Sequence, residues 1–104
     1  MVVGELDGTN LVKIAKVKGT FPWHKHDQED ELFLVIKGQL IIELENQQLT
    51  LDPGELAVIP AGVMHNPIAD EESHVLVLEK KSTAHTGDKI FAATKSLDDQ
   101  LRPI

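Results

Sequence analysis

Short apolar runs, alternating or continuous and separated by Gly, Pro, Asn and Asp, predict strands along most of this chain. Leu11 to Lys18, LVKIAKVK, alternates well enough to be a first long strand that Gly19 ends, and Met1 to Asn10 reads as a loosely ordered lead-in turning at Asp7-Gly8. Thr20 to His26 is a further extended piece, and Pro22, which has no N–H to give a ladder, sets it at an edge or a bend. The polar run Asp27 to Asp30 suits a hairpin loop, and ELFLVIK from Glu31 to Lys37 is the next strand. Gly38 marks a tight turn, Gln39 to Glu45 a strand, Glu45 to Gln48 a hairpin, and Leu49 to Leu51 its return. Asp52-Pro53-Gly54 is a strong turn signal, because proline presets φ at the second position and glycine accepts the positive φ of the third. ELAVI follows, Pro60-Ala61-Gly62 breaks the chain, and His65 to Ala69 starts a short strand. The polar run Ala69 to Ser73 is expected to separate it from HVLVLEK, His74 to Lys80. Turns recur about every 8–12 residues, the spacing of an all-β sandwich or small barrel.

In Glu31 to Lys37 both faces carry apolar side chains, Phe33 and Val35 on one, Leu32, Leu34 and Ile36 on the other. Such a strand is covered on both sides, and the cover for the outer one is expected from a second subunit, making a homodimer. Phe33, Val35 and Ile42 are expected to fill the interior, with Phe33 bordering any pocket near Glu31. From Ser82 onward apolar periodicity fades; FAATKS suits an edge strand or arm, and SLDDQLRPI is too short and polar for a stable helix.

Composition narrows the partners. The chain has 104 residues, with 10 Lys and Arg against 17 Asp and Glu, a net charge of −7. One domain fits that length, and the acidic balance argues against nucleic acid or an anionic membrane surface, which reward clustered basic residues. There is no cysteine, so disulfides and thiolate metal sites are excluded and a reducing compartment is permitted. No window nears the roughly 18 apolar residues of a membrane span, and the N-terminus lacks a basic then apolar leader, so a cytoplasmic protein is expected.

The chemistry concentrates in GTFPWHKHDQEDELFLVIKG, Gly19 to Gly38. On an extended segment His24 and His26 share one face, Trp23 and Lys25 the other. A hairpin across Asp27 to Asp30 would set Glu31 opposite His26, close enough for one metal ion to bridge them. Imidazole and carboxylate together suit divalent first-row metals. Trp23 is then expected to pack beneath a neighbouring strand or subunit, and Asp27, Glu29 and Asp30 to form a solvated loop.

These residues resemble the first sequence motif of the cupin family: a glycine, a gap, H-x-H, a gap, Glu, six residues and a glycine, filled by Gly19, His24, His26, Glu31 and Gly38. The gap after Gly19 is one residue shorter than usual. Gly54, Pro60, Gly62 and His65 fill the second motif, where Ala69 stands in place of its asparagine and the neighbouring Asn66 does not substitute by position. The resemblance implies a small antiparallel jelly-roll barrel with its core at about residues 11–80 and an arm over residues 82–104. It also implies one divalent metal per chain, Fe, Mn, Ni, Zn or Cu, held by His24, His26, Glu31 and His65 with positions left open to a ligand. His74 and His85 fall outside both motifs and are expected to be ordinary histidines. The family hosts dioxygenases, isomerases, lyases and non-catalytic binders, so two functions stand open. One is metal-assisted chemistry on a small oxygenated metabolite, with Glu31 as the base. The other is a metal- and small-ligand-binding module without turnover.

Overall fold

The computed structural model describes residues 1–82. Seven strands follow in order: β1 Val2–Leu6, β2 Asn10–Thr20, β3 Glu31–Lys37, β4 Leu40–Leu44, β5 Gln48–Leu51, β6 Leu56–Ile59 and β7 His65–Lys80. Every pairing between them is antiparallel, in the order β1-β2-β7-β3-β6, with β4 held between β5 and β7. The result is a small jelly-roll barrel. The arm expected over residues 82–104, FAATKS, SLDDQLRPI and His85 included, lies beyond Ser82 outside the described residues.

Strand β7 is the spine of this arrangement. Its first residues pair with β4, Leu44↔His65 to Ile41↔Ile68, and its last pair with β3, Val35↔Val75 to Glu31↔Glu79. Strand β2 follows it on the other side almost from end to end, Thr20↔Ile68 to Asn10↔Lys80. The sequence expectation of two strands divided by Ala69 to Ser73 is therefore overturned. The polar residues Asp70, Glu71 and Glu72 mark outward-facing, exposed positions on one long strand, where it passes from one sheet to the other. Nor does Gly19 end β2. It sits at a register shift between Val17 and Gly19, a bulge that lets β2 stay with β7 around the bend.

The lead-in is also a strand. Val2 to Leu6 pairs with β2 through a three-residue connection in which Asp7 and Gly8 both take positive φ, 55° and 69°. Asp-Gly tolerates that conformation at little cost, and the hairpin follows from it. The other expected turns are in place: Gly38, Gly54 and Gly62 have φ of 87°, 86° and 81°.

Inside, Val35 and Ile42 have no exposed surface and Phe33 is buried with Val17, Leu40 and Val75. The outer face of β3 and β6 is different. Leu32 and Leu34 are half-buried, while Ile36, Leu56 and Val58 are exposed. Among the described residues, then, only the inner face of β3 is fully covered.

Candidate metal centre

Three histidines and a glutamate meet at one end of the barrel, but not through the hairpin that spacing alone suggested. The segment before β3 does not pair with it. Phe21 N–H donates to the Pro67 carbonyl, and His24 and His65 exchange both backbone hydrogen bonds at 3.0 and 2.9 Å. Gly62 N–H donates to the His26 carbonyl at 2.8 Å. Glu31 instead lies on β3 opposite Ile59 of β6 and Glu79 of β7. The histidine segment is thus stitched to the start of β7 and Glu31 to its end, and closure of the barrel brings them face to face.

All four side chains are buried: His24 at 5%, His26 at 3%, Glu31 at 7% and His65 at 1% exposure. Trp23 and Lys25 point outward, as alternation requires. The ligand atoms of His24, His26 and Glu31 all lie within 4.8 Å of one another. His65 Nε2 stands 3.5 Å from Glu31 Oε1, and His26 Nε2 3.8 Å from the same oxygen.

Backbone contacts orient two of the rings. His24 Nδ1–H donates to the Pro22 carbonyl and His65 Nδ1–H to the Val63 carbonyl, each at 2.9 Å. That choice leaves Nε2 as the lone-pair nitrogen of both neutral rings, the form in which imidazole binds a metal. Burial holds His24 below its ordinary pKa of 6.5, which keeps it in that form.

Among the described residues, His26 Nδ1 and Nε2, Glu31 Oε1 and His65 Nε2 are buried without a hydrogen-bond partner. Native interiors seldom leave polar atoms so, because each costs about 1–3 kcal/mol. Four such atoms on three neighbouring residues fit a divalent first-row metal. The donors are imidazole nitrogen and carboxylate oxygen, which bind these ions without selecting one of them.

The sequence reading missed Glu79. It is buried, hydrogen-bonded to Glu31, and paired with Lys13 Nζ at 2.8 Å. Burial and the neighbouring Glu31 carboxylate push it up to about 8 against the opposing pull of Lys13. Burial would raise Glu31 too, but the imidazoles and the Glu79 hydrogen bond hold it below its ordinary value. Glu79 therefore holds a proton more tightly than Glu31 does. The alternation Val75, Val77, Glu79 signals an inward-facing acid, as Lys13, Ala15, Val17 signals an inward-facing lysine.

Asn66 was also undervalued. Its carboxamide donates to the Phe21 carbonyl at 2.6 Å and accepts from Trp23 Nε1 at 3.2 Å, so it ties the histidine segment to β7. Trp23 is held there partly exposed, rather than lying beneath a strand. Asp30 is not simply solvated, for its Oδ1 accepts from Ala61 N–H at 2.8 Å and pins the loop to the turn before His65. His74 pairs with Lys16 and Lys37 along β7, apart from the cluster.

Stability should respond to this proton. Glu79 binds it more tightly folded than unfolded, so its contribution is full below about pH 4.5 and is lost as pH rises toward 8. Glu31, shifted the other way, contributes above 4.5 and loses that contribution in acid. Urea unfolding of the metal-free protein is expected to show a fall on the order of 2 kcal/mol between pH 5.5 and 8.5, which Glu79→Gln removes.

A cavity of about 270 Å³ opens beside the cluster, with His24, Glu31 and Phe33 in its wall. Met1 and Val2 border it as well, so β1 closes one side. Among the described residues no helix is long and apolar enough to cross a membrane.

Known proteins agree with this architecture. The family model described as "Cupin domain" matches residues 10–81. Among curated proteins, the uncharacterized protein YdbB of Bacillus subtilis is 34% identical over 57 residues, 54% of this chain and 50% of its own length. A 3-hydroxyanthranilate 3,4-dioxygenase of Aspergillus fumigatus is 24% identical over 96 residues, 86% of this chain and 51% of its own. This chain thus spans about half the length of those relatives. Among solved structures, a cupin-2 domain protein from Shewanella frigidimarina superimposes with a TM-score of 0.75 at 41% identity, covering 78% of each chain. KdgF from Halomonas sp. gives 0.68 at 28%, covering 77% of this chain and 76% of its own. With the barrel closed and the family model spanning every strand from β2 to β7, this chain belongs to the cupin family.

Proposed function

We propose that His24, His26, Glu31 and His65 hold one divalent first-row metal ion and that the protein uses it on a small oxygenated metabolite. The observation that carries this reading is the set of buried, inward-aimed donor atoms without hydrogen-bond partners. A divalent ion bound there supplies a Lewis acid for a carbonyl oxygen or, if it is iron, a reaction partner for dioxygen. The chain's own groups do the rest. Carbon walls line the cavity, Glu79 lies against Glu31 and is itself paired with Lys13, and Glu31 Oε1 would serve as the base for a substrate proton. Likeness to a dioxygenase supports an enzyme.

The second reading is a metal- and ligand-binding module. The scarcity of polar groups in the cavity favours it, since the described wall offers only Lys13, His24 and Glu31 as titratable side chains. Both readings are tested by metal analysis of the natively purified protein, followed by 2-oxo acids, catechols and sugar phosphates with oxygen uptake and product formation monitored. Turnover that follows metal content supports the enzyme; binding without turnover under every metal supports the module.

The same proposal places the protein in the cytoplasm as a homodimer, its second copy covering the apolar face of β3 and β6. Leu32 lies opposite Val58 and Leu34 opposite Leu56 on that face, a continuous strip that a solvated sheet would make polar. Sedimentation is expected to give a dimer that Val58→Lys shifts to monomer. A monomeric parent protein would overturn this part.

A further inference from the structure

The cavity beside the metal centre is built with one polar pole. Strand register places its wall in layers: Glu31 at the polar end, then Phe33 facing Val77 with Lys13 on the other side of Val77, then Val75 with Ala15 opposite. Lys13 reaches back to Glu79, and the His24 ligand nitrogen lies within 4.8 Å of a Glu31 oxygen, so these polar groups gather about Glu31. Everything farther in is carbon: Ala15, Val17, Phe21, Phe33, Val75 and Val77.

Resting on the metal reading above, we propose that this site takes a compact ligand with an apolar body and a single anionic oxygen head, such as a hydroxy- or oxo-carboxylate on a hydrocarbon or arene. The pole dictates the head. Lys13 together with a divalent ion outweighs Glu31 and Glu79 whichever of them carries the proton, so the pole is net positive and rewards a negative group. The walls dictate the body. A sugar phosphate would bring hydroxyls against side chains that offer no hydrogen bond, and each would lose water without replacement. The described lining holds no hydroxyl or carboxamide side chain, so a polyol carried beside the phosphate would find no partners. A volume of about 270 Å³ lies at the small end of ligand pockets, which limits the body to one ring or a short chain.

Calorimetry on metal-loaded protein with three probes tests this: salicylate, benzyl alcohol and glucose 6-phosphate. Salicylate is expected to bind at least tenfold more tightly than either of the others. Ala15→Leu and Val77→Phe, which fill the cavity away from the ligand atoms, are expected to keep full metal content while weakening salicylate at least tenfold. Either variant suffices if the other does not fold. Lys13→Gln is expected to weaken salicylate and leave benzyl alcohol unchanged. Glucose 6-phosphate binding as tightly as salicylate, metal-loaded protein ignoring salicylate, or filled cavities that bind it unchanged would overturn the inference. Protein that takes up no metal at all contradicts the underlying metal reading instead, a result that the metal content of the same samples distinguishes.

Discussion

Replacing His26 with leucine is expected to stabilise the metal-free protein while abolishing its metal binding. His26 is 3% exposed, and neither ring nitrogen has a hydrogen-bond partner. Without an ion, the ring carries the cost of two desolvated polar atoms and returns only packing. Leucine is of similar bulk and brings no polar atom, so the exchange is expected to gain about 1–2 kcal/mol. For a chain of this size that is a rise of roughly 5–15 °C in melting temperature. The backbone contact is indifferent to the change, because Gly62 N–H donates to the His26 carbonyl, not to its ring. Metal affinity moves the other way. Outer partners of metal ligands are worth about 10–100-fold in affinity, and loss of a ligand itself is expected to exceed about 100-fold. Thermal unfolding with and without added Mn²⁺ or Zn²⁺ reads both effects. A variant less stable than the parent, yet still stabilised by metal to the same degree, would show that His26 is a packing residue.

Gly38→Ala is expected to cost more than any surface substitution in the barrel. Gly38 holds φ at +87°, where a side chain is strained by about 1–2 kcal/mol. A Cβ added there would also run into Ser73, standing 2.8 Å from its Cβ and 3.0 Å from its Cα. Backbone blocks the escape. Ser73 cannot withdraw cheaply, because its Oγ accepts from Gln39 N–H and bonds the carbonyls of Gln39 and Glu71 at 3.0 Å each. Together these are expected to lower stability by about 3 kcal/mol or more, a fall above about 12 °C by calorimetry. The glycine that ends the first family motif is thus required by a close approach of β7 at the bend of the barrel. A Gly38→Ala protein melting within about 3 °C of the parent would refute that account.

The way this fold could be read from its sequence follows from what each signal encodes. Alternation is local, and it placed Leu11 to Lys18, Glu31 to Lys37 and the shared face of His24 and His26 correctly. Turn chemistry is local too, hence the correct turns at Gly38, Gly54 and Gly62. Pairing across the barrel is not. Glu31 was set opposite His26 by the nearest available hairpin, whereas the ladder runs Glu31↔Glu79, nearly fifty residues away along the chain. Barrel closure decides such contacts, and no single segment records them. Asp70 to Glu72 misled for a related reason: polarity there reports exposure at a bend, not an end to hydrogen bonding. Glu79 was legible in principle, as a charge on the inward phase of HVLVLEK. An acid at such a position draws notice only once its partner across the ladder is known.

Anomalous diffraction from crystals of the Zn²⁺- or Mn²⁺-loaded protein tests the metal assignment most directly. One peak per chain is expected, at about 2.0–2.2 Å from imidazole nitrogens of His24, His26 and His65 and an oxygen of Glu31. Fully loaded crystals with no peak between these four side chains, or with the ion held by other residues, would contradict it.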